Sequence, residues 1–427
     1  MKIKGIKTVG VIAEYNPFHN GHALQLEHIR KELQGDHIVV AMSGDFVQRG
    51  APALFPKHVR ARMALLQGAD LVLELPIASA TASAEAFAMG GVSLLDGLGV
   101  VDALCFGSEC GDVAILNGLA KVLLEEPGDF STSLSEALKS GMTYPAARCR
   151  ALLSCLDSPC LEKEALSALP KGQDALCRLL SSPNNILGLE YCKAILRQKS
   201  SIHPVTLRRR GGGYHDRQLS SEAPSSATAI RRILSAEAPQ KALSLLQGQL
   251  PSRITPLFQK AVLSGAFLTT RELEPLFVYA LLKETPETLC RYLDVSPELA
   301  RRIFANRFSF GNFSHFTQLL KTKELTQTRI QRALIHLLLG IQSAPSSVPY
   351  ARILGFRKSS APLLKEIKKR GTIPLLTKPA NARRILSEDA LPLFEETAFA
   401  SNLYQSLLSQ KTGQAFCHEY RQPVVIL

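Results

Sequence analysis

The sequence predicts an α/β fold with a parallel sheet, and three observations lead there. Over the first 125 residues, short β-branched apolar runs alternate with stretches of helical spacing. Such alternation builds βαβ units whose sheet is covered on both faces. The unusual stretches, rich in His, Gly, Asp and Arg, each follow the end of a predicted strand. Ligands of open parallel sheets bind at the carboxyl ends of the strands.

Taken in order, "TVGVIAEY", "HIVVAMSG", "LVLELPIA" and "ALCFGSE" read as strands, and "HALQLEHIRKELQG", "HVRARMALLQGA", "AEAFAMGGVSLLDGL" and "VAILNGLAKVLLEE" read as helices. Residues 127–182 hold helix-like pieces with several turn signals and no strand, which predicts a helical insertion. The α/β pattern then returns with "NNILGLEYCKAILRQ" (helix), "IHPVTLRRR" (strand), the loop "GGGYHDRQ" and "SSATAIRRILSA" (helix). These predict one domain over 1–240. Residues 241–427 read as a mainly helical region, with a small mixed segment around "YARILGF" and "TIPLLTK".

Composition narrows the class. A chain of 427 residues is long enough for two or three domains with a full core. Its nine cysteines include no CxxC pair, which points to buried structural thiols in a reducing, cytoplasmic setting. No stretch reaches the roughly 18 apolar residues of a membrane helix, and the N-terminus lacks the apolar core of a signal peptide, so a soluble protein is expected. The net charge of +13 is unevenly placed: residues 1–240 hold 25 Lys and Arg against 24 Asp and Glu, whereas residues 241–427 hold 25 against 13. A net +12 on the second part suits a polyanion partner, because cations facing phosphates gain from counterion release. A solvated basic surface would give the same count.

Two motifs carry chemistry. In "NPFHNGH" the histidines His19 and His22 stand three apart at the start of a helix, where free backbone N–H groups and the helix dipole favour anions. Gly21 between them would let a flat group approach the backbone. In "SSATAIRR", Ser225, Ser226 and Thr228 offer hydroxyls at another helix start, with Arg231 one turn on. Each alone reads equally well as an ordinary helix cap. As a pair, they are two phosphate-ready helix N-termini at opposite ends of one α/β domain.

With these motifs the sequence resembles the HxGH nucleotidylyltransferase superfamily, which has a Rossmann-like core. Asn16 stands where many members have aspartate, and Ala227 interrupts the usual Ser-Ser-Thr order. The set "EYNPFHNGH", "MSGDFVQRGAPA", "GADLVLELP", "FGSECGD", "SSPNNILGLEY", "GGGYHD" and "SSATAIR" is similar to the bacterial tRNA(Met) cytidine acetate ligases. The resemblance implies activation of acetate by ATP as acetyl-adenylate. The acetyl group would then pass to the wobble cytidine of elongator tRNA(Met), with Mg²⁺ accompanying the nucleotide. It implies His19, His22, Thr228 and Arg231 as catalytic residues. The implied ATP site comprises Ile12, Ala13, Glu14, Tyr15, Asn16, Pro17, Phe18, His19, Asn20, Gly21, His22, Ala23, Leu24, Gln25, Gly107, Asn184, Arg209 and Arg210.

Around this core the assignments are looser. Gln48 and Arg49, after the second strand, are candidates to grip the acetate carboxylate, and Tyr214, His215 and Asp216 are candidates for the RNA step. "GADLVLELP" reads as core, with Glu74 unassigned. Arg329 and Arg332, three apart on one helix face, are candidate tRNA contacts. No residue set suggests a resident metal site. Two other classes share features with this reading: a small-molecule adenylyltransferase, against which the basic region argues, and a non-catalytic RNA-binding protein, against which the intact motif residues argue.

Overall fold

The computed structural model describes residues 7–142, 144–154, 173–209 and 226–427. Among them run β1 (Thr8–Ala13), β2 (His37–Ser43), β3 (Phe46–Val47), β4 (Ala51–Pro52), β5 (Leu71–Leu75), β6 (Ala103–Ser108), β7 (His203–Arg208), β8 (Ala351–Phe356), β9 (Leu375–Leu376) and β10 (Val425–Ile426). The chain separates into two compact units, residues 1–101 with 211–427, and residues 102–210.

In the first unit, β1 runs parallel to β2, with Thr8 opposite His37 and Ala13 opposite Met42. β2 runs parallel to β5. Val9, Val11, Val39, Val40, Val72 and Leu73 are fully buried, as expected of strands whose apolar runs are covered on both faces. β8 then joins β5 in antiparallel fashion, and β9 and β10 pair with β8 in parallel. The compositional shift near residue 240 is therefore not where the chain divides, because "ARILGF" completes the sheet that "TVGVIA" begins. Charge describes a segment's surface, whereas the open edge of β5 decides where an apolar strand can pair.

This pairing explains Glu74, which lies directly opposite Arg352. Its Oε2 accepts from Arg352 Nη1 at 2.6 Å, and its Oε1 accepts from Lys57 Nζ at 2.6 Å. Lys57 also meets Glu419 at 2.6 Å and Ser401 Oγ at 2.7 Å, and Arg352 pairs with Glu419. Burial alone would raise the Glu419 carboxyl, but Lys57 and Arg352 outweigh it and hold the group at about 2. Two cations and two carboxylates thus fasten the chain's last turn to the sheet.

His58, beside Lys57, has both ring nitrogens buried without a hydrogen-bond partner. Burial, reinforced by Lys57 and Arg352, lowers it from 6.5 to about 3. The folded form therefore refuses a proton that the unfolded chain accepts between these values, so stability falls as pH falls through that window. From pH 7 to pH 5 the loss from this group is about 2 kcal/mol. Urea midpoints at the two pH values should diverge for the parent and converge for His58→Gln; equal divergence in both would refute the assignment.

The helices Glu274–Lys283, Pro297–Asn306, Phe313–Leu320 and Gln327–Leu339 share one apolar core, which reaches Phe46 of β3 and Tyr404 of the long helix Ala390–Thr412. Among the described residues, no helix is long and apolar enough to cross a membrane.

In the second unit, β6 and β7 pair in parallel and pack with the helices Val113–Glu125 and Pro183–Arg197. The described parts of the segment read as a helical insertion form the helices Gly128–Lys139, Tyr144–Ser154 and Gln173–Ser181. Two of these helices are joined by a disulfide, Cys149 to Cys177, which departs from the expected set of buried thiols. Cys105 and Cys192 are buried as expected, but Cys290 is exposed. Sequence spacing does not reveal a pairing that depends on how two helices dock.

Candidate functional site

The first motif lies where β1 ends. Ile12 and Ala13 close the strand, Glu14 to Phe18 form the connecting loop, and His19 is the N-cap of the helix Asn20–Lys31. Tyr15 holds a left-handed backbone conformation (φ 48°), and its buried ring lies 4.7 Å from that of Phe18 and 4.8 Å, edge-on, from that of His22. The two imidazoles stack at 3.9 Å. His19 Nδ1 accepts from Gly21 N–H at 3.0 Å, and His22 Nδ1 accepts from His19 N–H at 3.3 Å. An Nδ1 that accepts carries no proton, so both rings hold theirs on Nε2, as donors. A Cβ on Gly21 would lie 2.9 Å from His19 Cε1. Gly21 is therefore explained by the seating of the His19 ring. Leu24 is 51% exposed and turns to solvent, and Asn20 Nδ2 donates to Gly248 O at 3.1 Å.

The second motif meets the first. Ser226 caps the helix Ala227–Ala236, its side chain accepting from Ala229 N–H at 3.2 Å. Arg231 donates one guanidinium nitrogen to Asn16 O and another to Thr228 Oγ1, the latter at 3.2 Å. Thr228 Oγ1 also accepts from Arg49 Nη1 at 3.0 Å. The second helix start and the loop after β2 thus meet at one hydroxyl flanked by two guanidinium groups, and Arg231 ties them to the loop that leads to His19. Arg49, the candidate for the acetate carboxylate, is held within hydrogen-bond reach of the second motif.

That loop is an antiparallel β3–β4 hairpin with Gln48, Arg49 and Gly50 at its tip. Gln48 N–H donates to Glu14 Oε1 at 2.9 Å, and Leu54 N–H to Asn16 Oδ1 at 2.7 Å. Asn16 is therefore a buried brace between two loops. Gly50 has φ 71°, and a Cβ there would collide with the backbone of Gln331 and Arg332. Both features predict that Gly50→Ala shifts the hairpin tip and moves Arg49 off Thr228. We expect at least a tenfold loss of catalytic rate with little change in helix content, since a misplacement of about 1 Å can cost 100-fold. An unaltered rate would show that the tip does not position the site.

Three residues missed in the sequence hold this geometry. Fully buried Arg60 donates to Phe55 O (2.9 Å), Glu14 O (2.6 Å), Ser43 O (3.0 Å) and Gly44 O. Burial lowers its guanidinium pKa, with Asp45 opposing. Tyr404 donates to Ala53 O at 2.8 Å and Leu54 O at 3.2 Å, so the long C-terminal helix supports the same loop. Asp45 Oδ1 accepts from Lys57 N–H at 2.8 Å. The available signal was Lys57 and Arg60 three apart on the apolar face of "KHVRARMALL", where a charge needs an internal partner.

The second unit holds Gly107, Asn184 and Arg209. Arg209 N–H donates to Ser108 O at 2.9 Å, and a Cβ on Gly107 would lie 3.2 Å from Arg209 Cγ. The bare glycine therefore seats the arginine stem. Asn184 Nδ2 donates to Glu109 Oε1 at 2.6 Å, and Asn185 N–H to Glu109 Oε2 at 2.8 Å. Asn185 Oδ1 in turn accepts from the N–H groups of Glu109 (2.9 Å) and Cys110 (3.0 Å). Glu109 caps the Pro183–Arg197 helix, and the donor half of the Asn184 amide is held by it. Arg210, Tyr214, His215, Asp216 and Ser225 lie outside the described residues.

The candidate tRNA contacts are placed differently from the expectation of two outward cations. Arg332 makes a two-point pair with Asp294 at 2.7 and 3.2 Å, and its side chain is only 12% exposed. Its charge is met inside the protein. Arg329 Nε donates to Asp294 O at 3.3 Å and is half-buried. Lys365, Lys368, Lys369 and Arg370, on the helix Ala361–Arg370, are exposed instead.

With the geometry in place, comparison with known proteins is direct. The family model described as "HIGH Nucleotidyl Transferase" matches residues 6–418. The tRNA(Met) cytidine acetate ligase of Acetivibrio thermocellus is 35% identical over 99% of this chain and 100% of its own length. That of Thermoanaerobacter sp. is 37% identical over 98% and 99%. Thermotoga maritima TmcAL in its apo form superposes with a TM-score of 0.88 at 28% identity, covering 99% of this chain and 100% of that one. The form bound with alpha-thio ATP gives 0.84 at 29% identity, with the same coverage. The chain belongs to the HIGH nucleotidyl transferase family and, within it, to the tRNA(Met) cytidine acetate ligases.

Proposed function

We propose that this protein is an ATP-dependent ligase that activates acetate and acetylates a tRNA. A carboxylate oxygen of acetate attacks the α-phosphorus of ATP, pyrophosphate leaves, and acetyl-adenylate forms. N4 of the wobble cytidine of elongator tRNA(Met) then attacks the acetyl carbonyl, giving N4-acetylcytidine and AMP with loss of the amine proton. The observation that carries this reading is the Thr228 hydroxyl at a helix start, bonded by both Arg49 and Arg231, with Arg231 also bonded to Asn16 O in the loop that leads to His19 and His22. Such an array suits charge developing on transferring phosphate, where preorganised donors act most strongly.

In this reading the Nε2–H groups of His19 and His22 donate to phosphate oxygens, and Arg231 and Thr228 stabilise the departing pyrophosphate. Gln48 and Arg49 orient the acetate, while Gly107, Asn184 and Arg209 serve the nucleotide. Mg²⁺ would enter with ATP, since it keeps several waters and is held largely through substrate phosphates. Among the described residues, no group of three or more His, Cys, Asp or Glu is placed to cage a metal. The exposed cations of Ala361–Arg370 are the better candidates for tRNA phosphates, with Arg329 beside them in role and Arg332 retained as a brace. A tRNA substrate also favours a cytoplasmic location.

The test is incubation with ATP, radiolabelled acetate and total bacterial tRNA, followed by nucleoside analysis. Labelled N4-acetylcytidine is the expected product. ATP–pyrophosphate exchange without labelled tRNA would favour a small-molecule adenylyltransferase, and neither activity would favour a non-catalytic RNA-binding protein.

A further inference from the structure

Among the large hydrophobic side chains exposed in the described residues, the two most exposed are aromatic: Phe308 at 77% and Tyr279 at 64%. Each has a cation over its face. Arg307 lies 3.7 Å from the Phe304 ring centre and 4.3 Å from that of Phe308, and its Nη1 donates to Phe304 O. Lys283 Nζ stands 5.2 Å from the Tyr279 ring centre. Phe308 belongs to the short turn Arg307–Ser309, against which the Tyr279-bearing helix packs. On the same helix as Tyr279, Phe277 stacks on Phe313 in a core that runs on to Phe46 of the β3–β4 hairpin.

We propose that Phe308, with Arg307 behind it and Tyr279 on the adjoining helix, is a stacking platform for an unpaired base of the tRNA loop that carries the target cytidine. The inference rests on the tRNA reading above. An exposed phenylalanine contributes nothing to the core in the free protein, whereas a base stacked on an aromatic face gains without needing a particular sequence. The chemistry also asks for such a surface. N4 must reach an activated acetyl group, so the cytosine leaves its stack and its neighbours lose a face. Charge points the same way: residues 297–323 hold five Lys and Arg against one Asp or Glu. The Arg307 guanidinium, held close to both the Phe304 and Phe308 rings, sets a positive charge beside the platform for a neighbouring phosphate.

The experiment measures binding of an unmodified elongator tRNA(Met) transcript by fluorescence anisotropy across 50–200 mM salt, with acetate-dependent ATP consumption and sedimentation velocity on the same samples. We expect Phe308→Ala to weaken binding about 5- to 100-fold without changing its salt slope, ATP consumption or sedimentation. Tyr279→Ala should weaken it to a smaller extent. Phe308→Trp should keep wild-type affinity, while Phe308→Leu, equally apolar but without a π face, should behave like alanine. Wild-type affinity in Phe308→Ala, or full affinity in Phe308→Leu, overturns the platform and leaves the ligase reading standing. A change in sedimentation with tRNA affinity intact overturns it in favour of a contact between protein copies. Failure of the wild-type protein to bind the transcript removes both readings together.

Discussion

Replacing His22 by alanine should lower acetyl-adenylate formation about 100- to 1000-fold, the usual cost of losing one preorganised donor at a developing charge, while the fold survives. The geometry separates the two consequences. In the folded protein His22 Nδ1 accepts a 3.3 Å hydrogen bond from His19 N–H, and a lost cap typically costs about 1 kcal/mol. Catalytically its loss is larger, because the bond to Nδ1 keeps the proton on Nε2, and alanine offers no donor. His19 would also lose its stacking partner, whose ring centre lies 3.9 Å away, so kcat should suffer more than ATP affinity. Near wild-type ATP consumption with an intact circular dichroism spectrum would refute the role given to His22.

Arg60→Ala should destabilise the protein by upward of about 3 kcal/mol, on the order of what breaking a buried charged network costs. It would leave four backbone carbonyls, those of Phe55, Glu14, Ser43 and Gly44, without their common donor. Each buried acceptor so orphaned carries a penalty of about 1–3 kcal/mol before relaxation. Against a typical total of about 5–15 kcal/mol, this is a large fraction. Arg60→Lys should recover little, because a single ammonium cannot span carbonyls contributed by three separate segments. The two loops that Arg60 ties together carry Glu14 to His19 and Gln48 to Arg49, so the remaining folded protein should also be slow. A urea midpoint unchanged in Arg60→Ala would show that the carbonyls find other partners.

Much of the site was legible because it is local. A histidine pair at a helix start, or Ser226 and Thr228 ahead of Arg231, is recognised from spacing, since helix geometry fixes which side chains share a face. The alternation of β-branched and helical runs was equally readable, because burial on both faces of a parallel sheet leaves a continuous apolar signature. Gly21 and Gly107 show the limit. Gly21 is readable as a position that needs a bare backbone and Gly107 as part of the implied nucleotide site, yet the groups that need the space are the His19 ring and the Arg209 stem.

The sequence by itself determined the parallel α/β core, the two helix starts that carry His19 and His22 and Ser226 and Thr228, and the surplus of positive charge in the second part of the chain, since each depends on neighbours within a few residues or on a simple count. Tertiary structure alone decided which charges reach solvent. Arg332 is neutralised by Asp294 and Glu74 by Lys57 and Arg352, while the Arg60 guanidinium is hydrogen-bonded by main-chain oxygens. It also decided that β8 closes against β5 and that Arg49 meets Thr228. These partners are distant in the chain. A buried charge is stable only beside a compensating group, and nothing in local spacing says which distant segment will bring one.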